Sequence, residues 1–193
     1  MLRRNRAVGA GGFRVSAPGD SVGRRRGRLR RLDLALLRLL RTRGHDPRVE
    51  RAVLLFTRAG EHGALWQGLC LVGAVVDRRR RPLYLRAMRT VMLAYLANIG
   101  LKYVVRRPRP VLEGLPALSS TVTSLSFPSA HSTTSFAAAW ALTRADDGLP
   151  VVPVYALAKA MAASRVYAGV HYPTDVFAGA AYGTALAALL DAR

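Results

Sequence analysis

His171 and Asp175 stand four residues apart, with Arg165 six residues before the histidine, and these three are the residues of the chain best placed for covalent chemistry. A carboxylate at that spacing can reach back to one imidazole nitrogen. It then fixes the tautomer and raises the basicity of the other nitrogen, as in a serine protease triad. Gly169 lets the chain turn back, and Pro173 is suited to open the next helix. The plainer alternative is that Asp175 caps a helix beside an idle histidine. A second segment, Pro128-Ser129-Ala130-His131, reads as a loop entering a helix, with Ser129 suited to the N-cap. Helix starts present unpaired N–H groups and the positive end of the dipole, which makes a phosphate cradle beside His131. In a third segment, KYVVRRPRP, an apolar helix runs into Lys102 and then Arg106, Arg107 and Arg109, and Pro108 and Pro110 end it. A lysine is a point charge, whereas an arginine fork can grip two phosphate oxygens. By itself this third segment also fits a basic cluster that only sets membrane topology. Together the three supply two histidines, an orienting acid and a set of cations, an inventory that suits phosphoryl transfer through a phosphohistidine. Arg106 and Arg107 read as supporting charge, and His45 and His62 have no comparable setting.

The elements that must position these residues are helical. The chain has 193 residues, the length of one domain, and a net charge of +19. Residues 1–31 hold ten arginines against Asp20 alone, so they contribute nine of those charges (ten minus one). Gly, Ser and Pro are mixed in, so residues 1–30 read as a disordered Arg-rich arm. Such an arm suits anionic lipid better than nucleic acid here, and no nucleic-acid partner is expected. No apolar stretch of a secretory signal follows the basic start. The single cysteine, Cys70, sits in an apolar run as a core or lipid-facing residue. Residues 31–62 contain arginine-bearing patches, Leu32–Leu40 and Val49–Ala59, that read as interfacial amphipathic helices. Over 63–193, Gly63–Val76, Ala87–Val105, Pro150–Ser164 and Pro173–Leu190 approach the ~18–20 residues of a membrane span. Lys159 interrupts one of them, snorkelling or marking a shorter helix. Gly179 and Gly183, four apart, allow close helix packing. The expected fold is all-α, an integral membrane helical bundle.

These segments resemble the type 2 phosphatidic acid phosphatase superfamily, which includes lipid phosphatases, class A bacterial acid phosphatases and vanadium haloperoxidases. That family's pattern is Lys, six residues, Arg-Pro; then Pro-Ser-Gly-His; then Ser-Arg, five residues, His, three residues, Asp. Lys102 with Arg109-Pro110, Pro128 to His131, and Ser164-Arg165 with His171 and Asp175 answer it, except that Ala130 stands where the family has glycine. A left-handed backbone there would cost alanine roughly 1–2 kcal/mol. The likeness covers residues 60–190. It implies that His171 attacks phosphorus, that Asp175 orients it, and that His131 protonates the leaving oxygen and then helps water attack. It further implies that Lys102, Arg109, Arg165, Ser129 and the backbone N–H groups around Ala130 hold the phosphoryl oxygens. No cofactor or metal is implied, since fixed cations do that work, and the sequence shows no magnesium-type carboxylate cluster or zinc-type Cys/His spacing. Gly60-Glu61-His62 through SFPSAH is similar to a small actinobacterial branch associated with decaprenyl-phosphate phosphoribose dephosphorylation in cell-wall synthesis.

The implied partners are a lipid phosphate substrate and the bilayer of the plasma membrane, crossed several times. Two spans before the first motif would put the site on the side of the arm, cytoplasmic by the positive-inside rule; a third would reverse it. A soluble acid phosphatase, a vanadium haloperoxidase and a non-enzymatic basic binder of membrane or nucleic acid are the competing readings. Lipid identity, leaving group and oligomeric state are not written in the sequence.

Overall fold

The computed structural model describes residues 18–43 and 45–192. Among them run seven α-helices: α1 (Pro18–Thr42), α2 (Pro47–Ala59), α3 (Ala64–Val76), α4 (Arg81–Val105), α5 (Ala130–Thr143), α6 (Val151–Tyr167) and α7 (Pro173–Asp191). A short 3-10 turn, Glu61–Gly63, joins α2 to α3. The chain divides into two units, Met1–Leu32 and Asp33–Arg193. Of the arm expected over 1–30, residues 1–17 lie outside the described residues. Residues 18–30 belong to α1, which corrects the expectation of disorder there. Arginine loses little rotamer freedom in a helix, and Pro18 is preset for the first helical position, so a basic stretch can be helical without a core of its own.

Within the second unit, the segment read as interfacial also enters the interior. Leu37 of α1 is fully buried with Leu112, Ala162, Val166 and Val176. Thr57 of α2 is fully buried too. A domain boundary at residue 63 would therefore cut through packed structure. Asp46 caps α2 by accepting from the N–H groups of Arg48 (2.8 Å) and Val49 (3.4 Å).

The central element is α5. Most of it, from His131 to Leu142, is buried, and the residues are small: Ser132, Thr133, Thr134, Ser135, Ala137, Ala138, Ala139 and Ala141. Small side chains let neighbours approach closely, and α7 exploits this. A β-carbon on Gly179 would lie 2.6 Å from the Ser129 carbonyl oxygen, and one on Gly183 would run into the carbonyl of Thr133. The glycine pair thus serves packing of α7 on α5 inside the chain. Polar groups of α5 find partners within the bundle. Asn98 of α4 donates to Thr133 Oγ1 (2.9 Å) and to the Pro128 carbonyl (3.3 Å), and the Trp66 indole donates to Ser135 Oγ (2.8 Å). Cys70 lies in the core beside Trp66.

The expected spans coincide with α3, α4, α6 and α7, yet no helix among the described residues is both long and apolar enough to cross a membrane. The reason differs by helix. α3 has 13 residues, α4 carries Arg81, Arg86, Arg89 and Lys102 along its 25, and α7 is rich in alanine and glycine. α6 passes through Lys159, which stays exposed. Large apolar side chains nevertheless face outward, including Val72, Val75 and Val76 on α3, Leu96 on α4, Val152 on α6 and Phe177 on α7.

The α5–α7 contact gives a direct test. Gly183→Val should destabilise by about 1–3 kcal/mol, since an overpacked core forces backbone shifts. In thermal unfolding this corresponds to a fall of several degrees, at roughly 2–4 °C per kcal/mol for a chain of this size. Gly68→Ala on α3, where nothing lies within 4 Å of the new methyl, should be neutral or slightly stabilising.

Candidate active site

Four helix ends meet at one end of the bundle. The turn before α3, the last turn of α4, the first of α5 and the last of α6 border a cavity of about 240 Å³, closed further by the loops that precede α5 and α7. Lys102, Arg109, Ala130, His131, Arg165 and His171 all line it. Ser129 and Asp175 stand behind the wall, both fully buried. Ser129 caps α5, its Oγ accepting from Ser132 N–H (3.5 Å), and its own N–H donates to the Asp175 carbonyl (3.0 Å). Ala130 is the first residue of α5 and is right-handed; among the described non-glycine residues only His62 and Arg106 have positive φ. The replacement of the family glycine therefore costs no backbone strain, and its methyl faces the cavity.

The cations are held by neutral oxygens. Lys102 Nζ donates to the carbonyls of Leu125 (3.3 Å) and Ser126 (3.4 Å). Arg109 sits in the loop after α4, where Nε donates to the Thr123 carbonyl (2.8 Å) and Nη1 to that of Val170 (2.8 Å). Burial lowers Arg109 to about 10, with Asp175 opposing, so it stays charged near neutrality. Arg165 Nη1 donates to Thr57 Oγ1 (2.6 Å), while its buried Nε has no partner. Neutral partners leave the charge of such a cluster uncancelled, which gives the cavity a positive potential.

His171 lies in the loop between α6 and α7. Its Nε2 is 3.2 Å from Arg109 Nη1, which can only donate, so Nε2 presents a lone pair and Nδ1 carries the proton. Burial first, and then the charges of Arg109, Arg165 and Lys102, push His171 well below its ordinary value. The ring is therefore neutral at physiological pH. Nδ1 lies 3.6 Å from Asp175 Oδ2, slightly beyond hydrogen-bond range. Two competitors hold the carboxylate back. Oδ2 accepts from the Tyr172 N–H (3.0 Å), closing the start of α7, and Oδ1 accepts from Arg107 Nη1 (2.7 Å). Asp175 thus caps the helix and lies beside the histidine at once.

His131 is the second residue of α5, within its first turn. Its Nε2 is 3.0 Å from the carbonyl of Thr57, to which it donates, leaving Nδ1 as the nitrogen with a free lone pair when the ring is neutral. The Thr57 hydroxyl accepts from both Arg165 and Ser164 (3.0 Å).

Several members of this arrangement were not singled out by the sequence. Arg107, read as supporting charge, joins Asp175 to Asp33 of α1: its Nη2 is 2.8 Å from Asp33 Oδ2. Asp33 is 3 % exposed and accepts from the Thr174 N–H (3.0 Å) and hydroxyl (2.5 Å). Its one signal was to be the lone acid of the Leu32–Leu40 patch. Thr57 carried none. Glu61, His62 and Tyr95 also line the cavity, and His62 is bonded to Tyr95 rather than lacking a setting. His45 pairs with Glu50 (2.8 Å) and is not part of the cavity wall.

Comparison with known proteins agrees with this geometry. Residues 83–191 match the PAP2 superfamily. A decaprenylphosphoryl-5-phosphoribose phosphatase of Mycobacterium tuberculosis is 42% identical over 132 residues, 68% of this chain and 73% of the relative. Its namesake from Mycolicibacterium smegmatis is 41% identical over 120 residues, 62% of this chain and 65% of the relative. Among solved structures, Aquifex aeolicus LpxE superposes with a TM-score of 0.71 at 27% identity, over 84% of this chain and 96% of that one. The first transmembrane PAP2 type phosphatidylglycerolphosphate phosphatase from Bacillus subtilis gives 0.70 at 23%, over 85% of each chain, and shows the shared fold alone. The match spans the residues that bring cations and histidines to one cavity: this chain belongs to the PAP2 superfamily.

Proposed function

We propose that this protein hydrolyses the phosphate of a membrane lipid, polyprenyl-linked, through a phosphohistidine at His171 and without a metal ion. As a PAP2 family member it is a phosphatase, a phosphoric ester hydrolase. The observation that carries the finer reading is the convergence of Lys102, Arg109, Arg165, His131 and a neutral His171 on one cavity. The mycobacterial relatives support a polyprenyl-linked phosphate. The outward apolar residues of α3, α4, α6 and α7 support a place in the bilayer.

An entering phosphate ester, as its monoanion, draws the Arg109 fork off His171 Nε2 and onto its oxygens, joined by Lys102 and Arg165. The freed Nε2 lone pair attacks phosphorus. Burial, and then Arg165, hold His131 well below its ordinary value, so its ring is neutral before the ester enters. The P–O bond to the leaving group breaks, and that oxygen takes the ester's own proton, relayed through Nδ1 of His131. His171 becomes positively charged as the P–N bond forms, and Asp175 stabilises that charge from behind. Water then attacks phosphorus, His131 takes its proton, and the P–N bond breaks to release phosphate. Three fixed cations can balance a transferring phosphoryl group, which is the argument against a need for metal. Asp33 and Arg107 act through Asp175, holding its carboxylate against the pull of α7.

His171→Ala should lower turnover by at least about 10³-fold, the scale of losing a catalytic nucleophile. Rapid quench with labelled lipid phosphate should trap an acid-labile, base-stable phosphoenzyme in wild type and none in the variant. Undiminished turnover by His171→Ala, or loss of activity in EDTA, would count against the proposal. Arg107→Gln should reduce kcat by roughly 10–100-fold, the loss of an outer partner that orients a reacting group. It should also move the acid limb of the pH–rate profile upward. The sign follows from charge: the nucleophile must be neutral, and without its Arg107 ion pair the Asp175 carboxylate is left to favour the protonated imidazole beside it, which raises the pKa of His171. A kcat loss with an unmoved acid limb would reduce Arg107 to a structural role.

A further inference from the structure

We propose that the Thr57 hydroxyl is a positioning group for the reaction, aiming the Arg165 guanidinium at the phosphoryl oxygens. The inference rests on the phosphatase reading above and adds to its site a residue of α2, a helix that precedes the matched span 83–191. Thr57 is fully buried and does not line the cavity, so it acts through Arg165 rather than on the substrate.

Connectivity is the first argument. Arg165 is buried, and its contact to Thr57 Oγ1 (2.6 Å) is the one hydrogen bond its guanidinium makes among the described residues. Glu61 attracts it through space, without an ion pair. The other two cations are each held by two main-chain carbonyls, Lys102 by Leu125 and Ser126, Arg109 by Thr123 and Val170. Their aim is written into the backbone, whereas that of Arg165 depends on one side chain. The N–H groups of a guanidinium lie in one rigid plane, so fixing Nη1 at a short contact orients the rest of the fork.

The choice of residue is the second argument. Thr57 is the one buried residue of α2, whose half-buried neighbours are the apolar Val53, Leu54 and Phe56. Valine has nearly the same shape and avoids the cost of burying a hydroxyl, so packing alone does not account for threonine. A carboxylate would hold arginine more firmly but would cancel its charge, whereas a hydroxyl holds it and leaves that charge for an anion. The contact with Ser164 does not account for threonine either. Ser164 Oγ lies 3.0 Å from Thr57 Oγ1 and also donates to the Met161 carbonyl (2.7 Å). Without the Thr57 hydroxyl Ser164 keeps a partner, and Arg165 does not.

The test uses the full chain in detergent, with orthovanadate, an oxyanion of the shape of phosphate, as binding probe and a lipid phosphate as substrate. Thr57→Val keeps the size of the side chain and the main-chain carbonyl that holds His131. It should weaken orthovanadate binding about tenfold in titration calorimetry and lower kcat/KM by roughly 10–100-fold, the scale of a misplaced group at a reacting centre. Thr57→Ser restores the acceptor and should recover both to within about threefold, short of complete because serine lacks the stiffness of a β-branched side chain. Arg165→Ala removes what Thr57 aims, so adding Thr57→Val to it should change orthovanadate affinity by less than about twofold, the non-additivity of groups in contact. Where valine impairs folding, Thr57→Cys, a weak acceptor of similar size, is read in the same way. Wild-type orthovanadate affinity in folded Thr57→Val, or an equal loss with and without Arg165, would reduce Thr57 to a packing role and leave the phosphatase reading standing. No phosphate release from any lipid phosphate by wild type would overturn that reading, while orthovanadate affinity would still decide the role of Thr57.

Discussion

Three cations held by neutral oxygens, two of them buried and Arg109 half-buried, are the constraint around which the rest of this structure is arranged. Lys102, Arg109 and Arg165 find backbone carbonyls and a threonine hydroxyl where a stability-driven design would place carboxylates. Carbonyls satisfy hydrogen bonds without cancelling charge, so the positive potential survives for an anion. That choice dictates the loop between α4 and α5. It must double back so that Leu125 and Ser126 face Lys102 and Thr123 faces Arg109, and the bridge between Pro108 and Leu125 records this folding. Asp33 and Asp175 are both committed to Arg107, where their charge steadies the fold without lining the cavity.

Packing of the helices follows from the need to bring four ends together. A bundle of large apolar residues would hold its axes apart, whereas alanines, serines and glycines on α5 and α7 let the chain converge. The interior carries hydroxyls and an asparagine beside Trp66, Leu37 and Met161, and many other large apolar side chains are turned outward. This inversion suits a surface bathed in lipid, where burying leucine brings no gain and interhelical hydrogen bonds and close contact hold helices together.

How much of this was legible in the sequence depended on whether a residue's role was local. Lys102, Arg109, His131, Arg165 and His171 announced themselves through spacing on helix ends, and the helices after residue 63 followed from apolar runs bounded by proline and glycine. Asp175 was visible as a partner for His171, but the Tyr172 N–H and Arg107 that compete for it were not, because that competition is tertiary. Asp33 and Thr57 contribute from helices that look like surface elements, one arginine-laden and one amphipathic, since only a single face of each enters the site. The helix at 18–30 was misread because composition weighed against order while the propensity of arginine weighed for it. Ala130 raised a concern about backbone handedness that right-handed geometry at the start of α5 removes.

Thr57 makes two contacts of different kind from one residue. Its carbonyl receives the proton of His131, and its hydroxyl receives Arg165. His131 and Arg165 are therefore registered to the same residue of α2, as two instruments bolted to one bench. Sliding or tilting of that helix cannot move one without disturbing the other, so α2 couples two walls of the cavity although it lies outside the charge cluster.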